Sequence, residues 1–324
     1  MTDKHGRKIE YMRVSITDRC DLRCKYCMPE GIEKVSMSKI LTYEDLIRIC
    51  RVSADLGISR IKITGGEPFV RLGCCDLIRS IKAIDGIEQV TVTTNGQTLE
   101  RYIDELKDIG IDGINISLDT LDPEKFRYIT GRGELEKTLR SIKLSAESGI
   151  KTKINTVPQR GFNDDEITDI AELAFRYGID VRFIELMPVG AADAGTGLSN
   201  VEILETLRKK WSDLEADGSV HGNGPAVYYK RAGVKGGIGF ISAMHGKFCA
   251  YCNRVRLTSQ GQLKPCLYYD TVTDLIPFLK RSDYELRKAI REAIMNKPEA
   301  HCFSETGKKG ADNAEHRLMS QIGG

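Results

Sequence analysis

Six times between residue 9 and about residue 185 the chain repeats one pattern: a short β-branched run, a turn, then apolar residues at helical spacing. The predicted strands are 11–16, 60–64, 89–94, 113–118, 151–157 and 180–186, and the predicted helices between them are 43–56, 74–84, 99–109, 135–148 and 164–177. Thr42, Thr98 and Asn163 stand where N-caps belong, and Gly57, Gly110, Gly149 and Gly178 stand where helices end. Repeated strand–helix units specify a parallel sheet, which closes into a barrel or lies flat. The polar residues after each strand choose between these. Thr17-Asp18-Arg19-Cys20 follows the first, Thr64-Gly65-Gly66-Glu67-Pro68 the second, Thr93-Thr94-Asn95-Gly96 the third and Ser117-Leu118-Asp119 the fourth. Asn155 ends the fifth and Glu185-Leu186-Met187-Pro188 the sixth. Functional groups gathered at the carboxyl ends of parallel strands are the mark of a barrel rim. The expected fold is α/β, a partial (βα)6 TIM-like barrel.

After Gly190 the pattern changes. A helix over 200–211 precedes a Gly-rich segment, 218–239, with strand-like runs at 226–231 and 238–241. Helical patterns over 272–279 and 284–295 lead to a polar tail, 297–324, whose composition predicts poor order. The expected division is a barrel over residues 1–190 and a smaller α+β region over 191–324. Net charge is only +2, which argues against a general nucleic-acid binder, so any functional cations must be gathered locally. No apolar run approaches the ~20 residues of a membrane span. The first residues, Met1-Thr2-Asp3-Lys4-His5, carry no apolar signal region, and the expected location is cytoplasmic.

Ten cysteines in such a chain read as reduced thiols or metal ligands. Cys50 falls on a helix's apolar face, Cys74 and Cys75 at a helix start, and Cys302 in the tail; these four read as core, structural or stray thiols. The other six form two trios: Cys20, Cys24 and Cys27 as C-x3-C-x2-C, and Cys249, Cys252 and Cys266 as C-x2-C-x13-C. Three thiolates can hold three irons of a [4Fe–4S] cubane and leave the fourth open to a small molecule, unlike a four-cysteine electron-transfer cluster. Zinc is the alternative, with His245 or water completing the second trio, but C-x3-C-x2-C in one loop is a poor frame for a tetrahedron.

Cys20, Cys24 and Cys27, with Tyr26 between the last two, followed by Gly65-Gly66-Glu67-Pro68, resemble the radical S-adenosylmethionine (SAM) superfamily. Phe248-Cys249-Ala250-Tyr251-Cys252-Asn253-Arg254-Val255-Arg256-Leu257-Thr258, then Gly261, Leu263 and Cys266-Leu267, and the ending Met319-Ser320-Gln321-Ile322-Gly323-Gly324, are similar to the GTP 3′,8-cyclases of molybdenum cofactor biosynthesis. The resemblance runs from about residue 10 to the last. It implies two [4Fe–4S] clusters, with SAM on the open iron of the first and the guanine of GTP at the second. It places Tyr26, Gly66, Ser117 and Met187 on SAM, and Arg13, Lys62, Thr93, Lys153, Arg254, Val255 and Arg256 on GTP. Lys62 stands where arginine is more usual, keeping the charge but not the bidentate fork. Arg182, Gly323 and Gly324 are the implied catalytic residues. Arg254 and Arg256 also carry a physical argument, because residues two apart on a strand share a face and can grip one anion. The implied partners are GTP as substrate, the cyclic pyranopterin monophosphate synthase as recipient of the product, an unidentified electron donor, and a second copy in a homodimer.

Overall fold

The computed structural model describes residues 1–29, 35–192, 194–246, 248–303 and 314–322. Twelve strands form one sheet: β1 (Tyr11–Ser15), β2 (Arg60–Thr64), β3 (Gln89–Thr94), β4 (Gly113–Ser117), β5 (Thr152–Thr156), β6 (Asp180–Ile184), β7 (Glu215–Asp217), β8 (Val227–Lys230), β9 (Gly237–Ile241), β10 (Arg254–Leu257), β11 (Gln262–Lys264) and β12 (Thr273–Asp274). The helices are α1 (Tyr43–Ala54), α2 (Cys74–Lys82), α3 (Ile103–Ile109), α4 (Pro123–Thr130), α5 (Leu135–Glu147), α6 (Ile167–Tyr177), α7 (Asn200–Lys210), α8 (Ile276–Leu279) and α9 (Asp283–Met295). The strand order is β12-β11-β10-β1-β2-β3-β4-β5-β6-β9-β8-β7, so the sheet is open.

The six expected strands lie within two residues of their predicted bounds. Residues beyond 190 do not stand apart from them. β10 pairs in parallel with β1, and β9 in parallel with β6, so the C-terminal half widens the parallel sheet from both edges. Two antiparallel flaps, β11–β12 and β8–β7, finish those edges.

Alternation along each strand sorts its side chains between two environments. Met12, Val14, Ile61, Ile63, Val90, Val92, Ile114, Ile116, Ile154, Val181, Phe183, Ile238, Phe240, Val255 and Leu257 belong to the main core with the apolar faces of the helices. Residues between them point the other way and are polar or basic. Lys62 on β2 and Arg182 on β6 would stand about 19 Å apart in a flat sheet, four steps of ~4.8 Å. Both are instead close enough to repel within one buried space, as are Arg13 and Arg182. The sheet curls into a partial barrel around that space.

Local signals account for most helix ends. Thr42 caps α1 in a reciprocal box with Asp45. Thr98 and Asn163 do not cap: each precedes a 3-10 turn, and the Asn163 amide is drawn instead to the carbonyls of Asp119 and Val157. Two expectations for the C-terminal half are corrected. Of 272–279, Thr273–Asp274 pairs with β11 as a strand and only Ile276–Leu279 is helical. The tail is not loose where it is described: Lys297, His301 and Phe303 are buried, and so are Ala314, Glu315, Ser320 and Ile322. Val189, Met244, Tyr268, Phe303, Ala314 and Ile322 form a second, smaller core, against which Met187, Cys266 and Met319 pack.

Candidate active site

Register places the basic residues in rows across the inner wall. Arg13 on β1 lies level with Lys62 on β2 and Arg256 on β10, and Tyr11 lies level with Arg254. Farther round, Asn115 lies level with Thr93 and Lys153, and Asn155 with Arg182. Burial pushes the Lys62 ammonium far below its ordinary value, and the charges of Arg182, Arg13, Lys153 and Arg254 push it in the same direction. Arg256 is pushed down likewise, by burial and then by Arg13 and Arg254. Lys62 and Lys153 are buried and Arg13, Arg182, Arg254 and Arg256 half-buried, so the wall gathers like charges in partial exclusion from water, an arrangement that a bound anion would relieve. Arg182 Nε donates to Asn155 Oδ1 at 2.9 Å, fixing the guanidinium on the inner face. Val255 faces the other way, 1% exposed in the main core, so its side chain cannot reach this space.

The amino end of the barrel is closed. Lys153 Nζ donates to Asp180 Oδ2 (2.5 Å), the His221 carbonyl (2.7 Å) and the Tyr228 hydroxyl (2.9 Å). His221 lies between Asp180 and Asp217 and stacks on Tyr228, ring centroids 3.9 Å apart. Asn223 reaches Gln89 at the start of β3, so the segment 218–224 crosses the floor of the barrel and not its mouth. β9 supplies the room: a Cβ on Gly239 would lie 2.8 Å from the Tyr228 ring and 3.0 Å from Arg182.

The first cysteine trio occupies the loop leaving β1, at the mouth. Gly65 and Gly66 hold that loop by backbone contact: Gly66 N–H donates to the Thr17 carbonyl and Glu67 N–H to the Arg19 carbonyl, both at 2.8 Å. A Cβ on Gly66 would fall 2.3 Å from the Arg19 oxygen, so only glycine fits. Glu67, fully buried, accepts from Thr94 Oγ1 (2.8 Å) and the Asn95 amide (2.7 Å), and burial pushes its carboxyl up to about 8. Asn95 Nδ2 in turn donates to Asp21 Oδ1 at 2.7 Å, tying the third strand's rim to the cysteine loop. Tyr26 donates to Asp119 Oδ2 at 2.7 Å, and Asp119 Oδ1 accepts from the Val157 amide. Ser117 ends β4, two residues before Asp119.

The three thiols of this loop are free, and burial raises all three, Cys27 to about 11. Cys24 also feels the charges of Cys27 and Cys20, so the trio converges. Among the described residues no three His, Cys, Asp or Glu side chains are gathered as a single metal ion requires. A cubane asks less of them, since each thiolate meets its own iron. Cys249 and Cys252 flank a 3-10 turn just before β10, and Cys266 follows β11. Although burial opposes it, the charges of Lys297 and Arg254 hold the Cys252 thiol below its ordinary value, which favours the thiolate a metal needs. Lys297 is itself pinned by the carbonyls of Arg254 and Pro265. His245, the zinc alternative's fourth ligand, is engaged by Glu185 at 3.0 Å. Both trios fit iron–sulfur clusters by donor chemistry. Gly323 and Gly324 lie outside the described residues.

Sequence reasoning placed Glu67, Asp119 and Glu185 among the polar strand ends without giving them roles, and it missed Asp180, the first residue of β6. Glu185 organises three backbone amides, those of Asn200, Met244 and His245.

A three-cysteine loop at the mouth of an open parallel barrel defines a class, and the Radical SAM superfamily model matches residues 14–174. The Molybdenum Cofactor Synthesis C model matches residues 179–303. The GTP 3′,8-cyclase of Clostridium perfringens (strain SM101) is 43% identical over 327 residues, covering all of both chains. That of Peptoclostridium acidaminophilum is 45% identical over 307 residues, 94% of each. The chain belongs to the GTP 3′,8-cyclase family of the radical SAM superfamily. Among solved structures, Streptococcus suis SuiB bound to S-adenosylmethionine superposes with a TM-score of 0.66, covering 98% of this chain and 79% of SuiB at 16% identity, a likeness of fold alone.

Proposed function

We propose that the basic inner wall holds the triphosphate of GTP while the rim holds the reacting end of the nucleotide beside the two metal sites. The chain is a GTP 3′,8-cyclase: it converts GTP to (8S)-3′,8-cyclo-7,8-dihydroguanosine 5′-triphosphate, the first step of molybdenum cofactor biosynthesis, using SAM and two [4Fe–4S] clusters. The observation that carries the site-level reading is the register that sets Arg13 level with both Lys62 and Arg256 on one wall, where the charges of Arg182, Arg13, Lys153 and Arg254 all bear on Lys62. A polyanion is the ligand that relieves their repulsion.

Bound SAM and the first cluster supply the one-electron chemistry that opens a C–H bond. The protein's part is to bind, orient and exclude water. Cys20, Cys24 and Cys27 would hold the first cluster, with Tyr26, Gly66, Ser117 and Met187 around SAM. Cys249, Cys252 and Cys266 would hold the second, on which the guanine rests. Arg254 and Arg256 grip phosphate oxygens with their forks, and Arg13, Lys62, Thr93 and Lys153 extend the grip. Val255 contributes through its backbone. Arg182, fixed by Asn155, keeps a cation at the wall facing the sugar, and the family resemblance assigns Gly323 and Gly324 to the radical chemistry. The product passes to the cyclic pyranopterin monophosphate synthase, an external one-electron donor feeds the first cluster, and the enzyme works as a cytoplasmic homodimer. Among the described residues no helix is long and apolar enough to cross a membrane.

Anaerobic reconstitution with iron and sulfide, then reduction with SAM and GTP and mass spectrometry of the nucleotide, tests this reading. The expected products are an isomer of GTP and 5′-deoxyadenosine. Cys24→Ala should abolish both, whereas Cys252→Ala should spare deoxyadenosine and lose the isomer. Deoxyadenosine from the unaltered enzyme with GTP untouched would overturn the assignment of substrate.

A further inference from the structure

Two buried cations from distant parts of the chain hold the backbone of the second cysteine trio. One is Arg7. Residues 1–9 form a tight hairpin, in which Thr2 bridges to Lys8 and the Ile9 N–H donates to the Met1 carbonyl at 2.8 Å. Asp3 builds its turn: Oδ1 accepts from the amides of His5 and Arg7, both at 2.9 Å, while Gly6 takes the left-handed conformation, φ 79°. Asp3 Oδ2 accepts from Arg7 Nε and pairs with Nη2, both at 2.7 Å. The Asp3 side chain is 0% exposed and that of Arg7 5%.

The remaining guanidinium hydrogens leave the hairpin and meet three carbonyls. Nη1 donates to Cys249 at 3.0 Å and to Glu299 at 2.7 Å, and Nη2 to Pro298 at 2.7 Å. The Cys249 carbonyl also accepts from the Cys252 N–H at 3.2 Å, the bond that closes the turn between these two cysteines. On the far side of the turn, the Glu10 and Tyr11 amides share the Asn253 carbonyl, each at 3.2 Å. The second cation is Lys297, also buried, which donates to the carbonyls of Arg254 (2.8 Å) and Pro265 (2.5 Å), the latter one residue before Cys266. Arg254 in turn lies over the ring of Phe248, the residue before Cys249, 4.9 Å from its centroid. The backbone beside each of the three cysteines is thus held from outside the trio. A buried ion pair does little for stability that apolar packing could not do. What Asp3 and Arg7 supply here is direction.

We infer that Arg7, neutralised by Asp3, is a positioning residue for the second cluster, and that Lys297 is its counterpart at the third ligand. Arg7 fixes the Cys249 carbonyl and with it the angle at which Cys249 and Cys252 present their thiolates. Lys297 sets Cys266 against β10, the strand that carries Arg254 and Arg256. This deepens the reading of Cys249, Cys252 and Cys266 as cluster ligands and rests on it. The place of the second cluster relative to the phosphate-gripping wall is then set by the hairpin and by Lys297, and not by the cysteine segment alone.

The test uses the full-length chain carrying Cys20→Ala, Cys24→Ala and Cys27→Ala, reconstituted with iron and sulfide, so that iron is held at the second site only. Asp3→Asn and Arg7→Met are added together: both charges go, the amide oxygen still serves the turn, and no carboxylate is left buried without its partner. A chelator titration should then strip the second cluster at about 10–100-fold lower chelator concentration, the usual cost of losing an outer partner of a metal ligand. Lys297→Met should act in the same direction, and Arg7→Lys should restore part of the loss, since an ammonium can still reach a carbonyl. In the metal-free protein the double variant should speed hydrogen exchange at residues 249–254 and leave 60–64 unchanged. The matching chain with Cys249→Ala, Cys252→Ala and Cys266→Ala holds the first cluster only, and there the same substitutions should leave chelator resistance as it was. Equal weakening of both clusters, or of neither, overturns the proposal. Absence of iron and sulfide from the first-trio variant before any further substitution would instead overturn the reading of the second trio beneath it.

Discussion

The inner wall and the floor of the barrel are built from the same kinds of residue, yet they solve the problem of buried charge in opposite ways. On the floor, Lys153 meets Asp180, Asp180 meets His221, and His221 meets Asp217, with Tyr228 stacked beneath them. Charge there is answered within the chain. On the wall, Arg182, Arg13 and Arg254 all raise the cost of the Lys62 charge, and Lys153 adds to it from the floor. An ion paired within the chain serves structure, and like charges gathered on one wall serve a ligand.

The floor is easiest to break. Asp180→Asn leaves Lys153 buried without its counterion and takes an acceptor from His221, and should cost about 3–5 kcal/mol of stability. A thermal denaturation midpoint unchanged in this variant would end the distinction. Truncation on the wall should have a different signature. Arg256→Ala should weaken GTP binding by about 10–100-fold, the equivalent of about 1.5–3 kcal/mol for a hydrogen bond to a charged group, with SAM binding unaffected. Lys62→Met should weaken GTP likewise but stabilise the ligand-free protein by about 1 kcal/mol, since it removes a charge that the empty wall only repels. Calorimetry of the ligand-free variant checks the sign. Lys62→Arg sharpens the comparison further, giving at most a few-fold tighter GTP binding through its fork if the neighbouring guanidiniums leave it room.

A further contrast is expected from pH. Burial, outweighing the attraction of Asp180, pushes the Lys153 ammonium down to about 8 from 10.5. Below about 8 both folded and unfolded chains carry the proton, and folding bears its full burial cost. Between 8 and 10.5 the folded chain releases it first, the unfolded chain binds more protons, and stability should rise with pH. GTP affinity should fall over the same range as the cation is lost. Denaturant titrations at pH 7.5 and 9.5, with and without GTP, would reveal the two opposed trends.

Much of this arrangement was legible in the sequence because strand alternation and strand ends are local signals. β2 and β3 match their predicted bounds, and Arg254 and Arg256 do share a strand face. Helix α4 was missed although Asp122-Pro123 announces it: Asp122 caps the amides of Glu124 and Lys125, and the proline opens the first turn. The joining of β9 and β10 to the two edges of the barrel was not legible. Pairing across 240 residues leaves no periodic trace. The floor network was hidden for the same reason, since Lys153, Asp180 and His221 sit on three separate segments. The tail was misjudged because composition averages over residues, whereas the packing of Glu315, Leu318 and Ile322 depends on what Lys264, Gly190 and Met187 offer them.

The parallel pairing of β1 with β10 also governs the chain's birth. β1 is synthesised about 240 residues ahead of β10, and one of its two edges has no neighbour until residues 254–257 follow it out. For most of synthesis the nascent barrel presents an unsatisfied strand edge lined with valine and methionine, the kind of surface that invites mispairing with other chains. Arg7, whose guanidinium bonds the carbonyls of Cys249, Pro298 and Glu299, has to wait longer still. The topology thus predicts slow maturation and benefit from chaperones, before any question of metal supply arises.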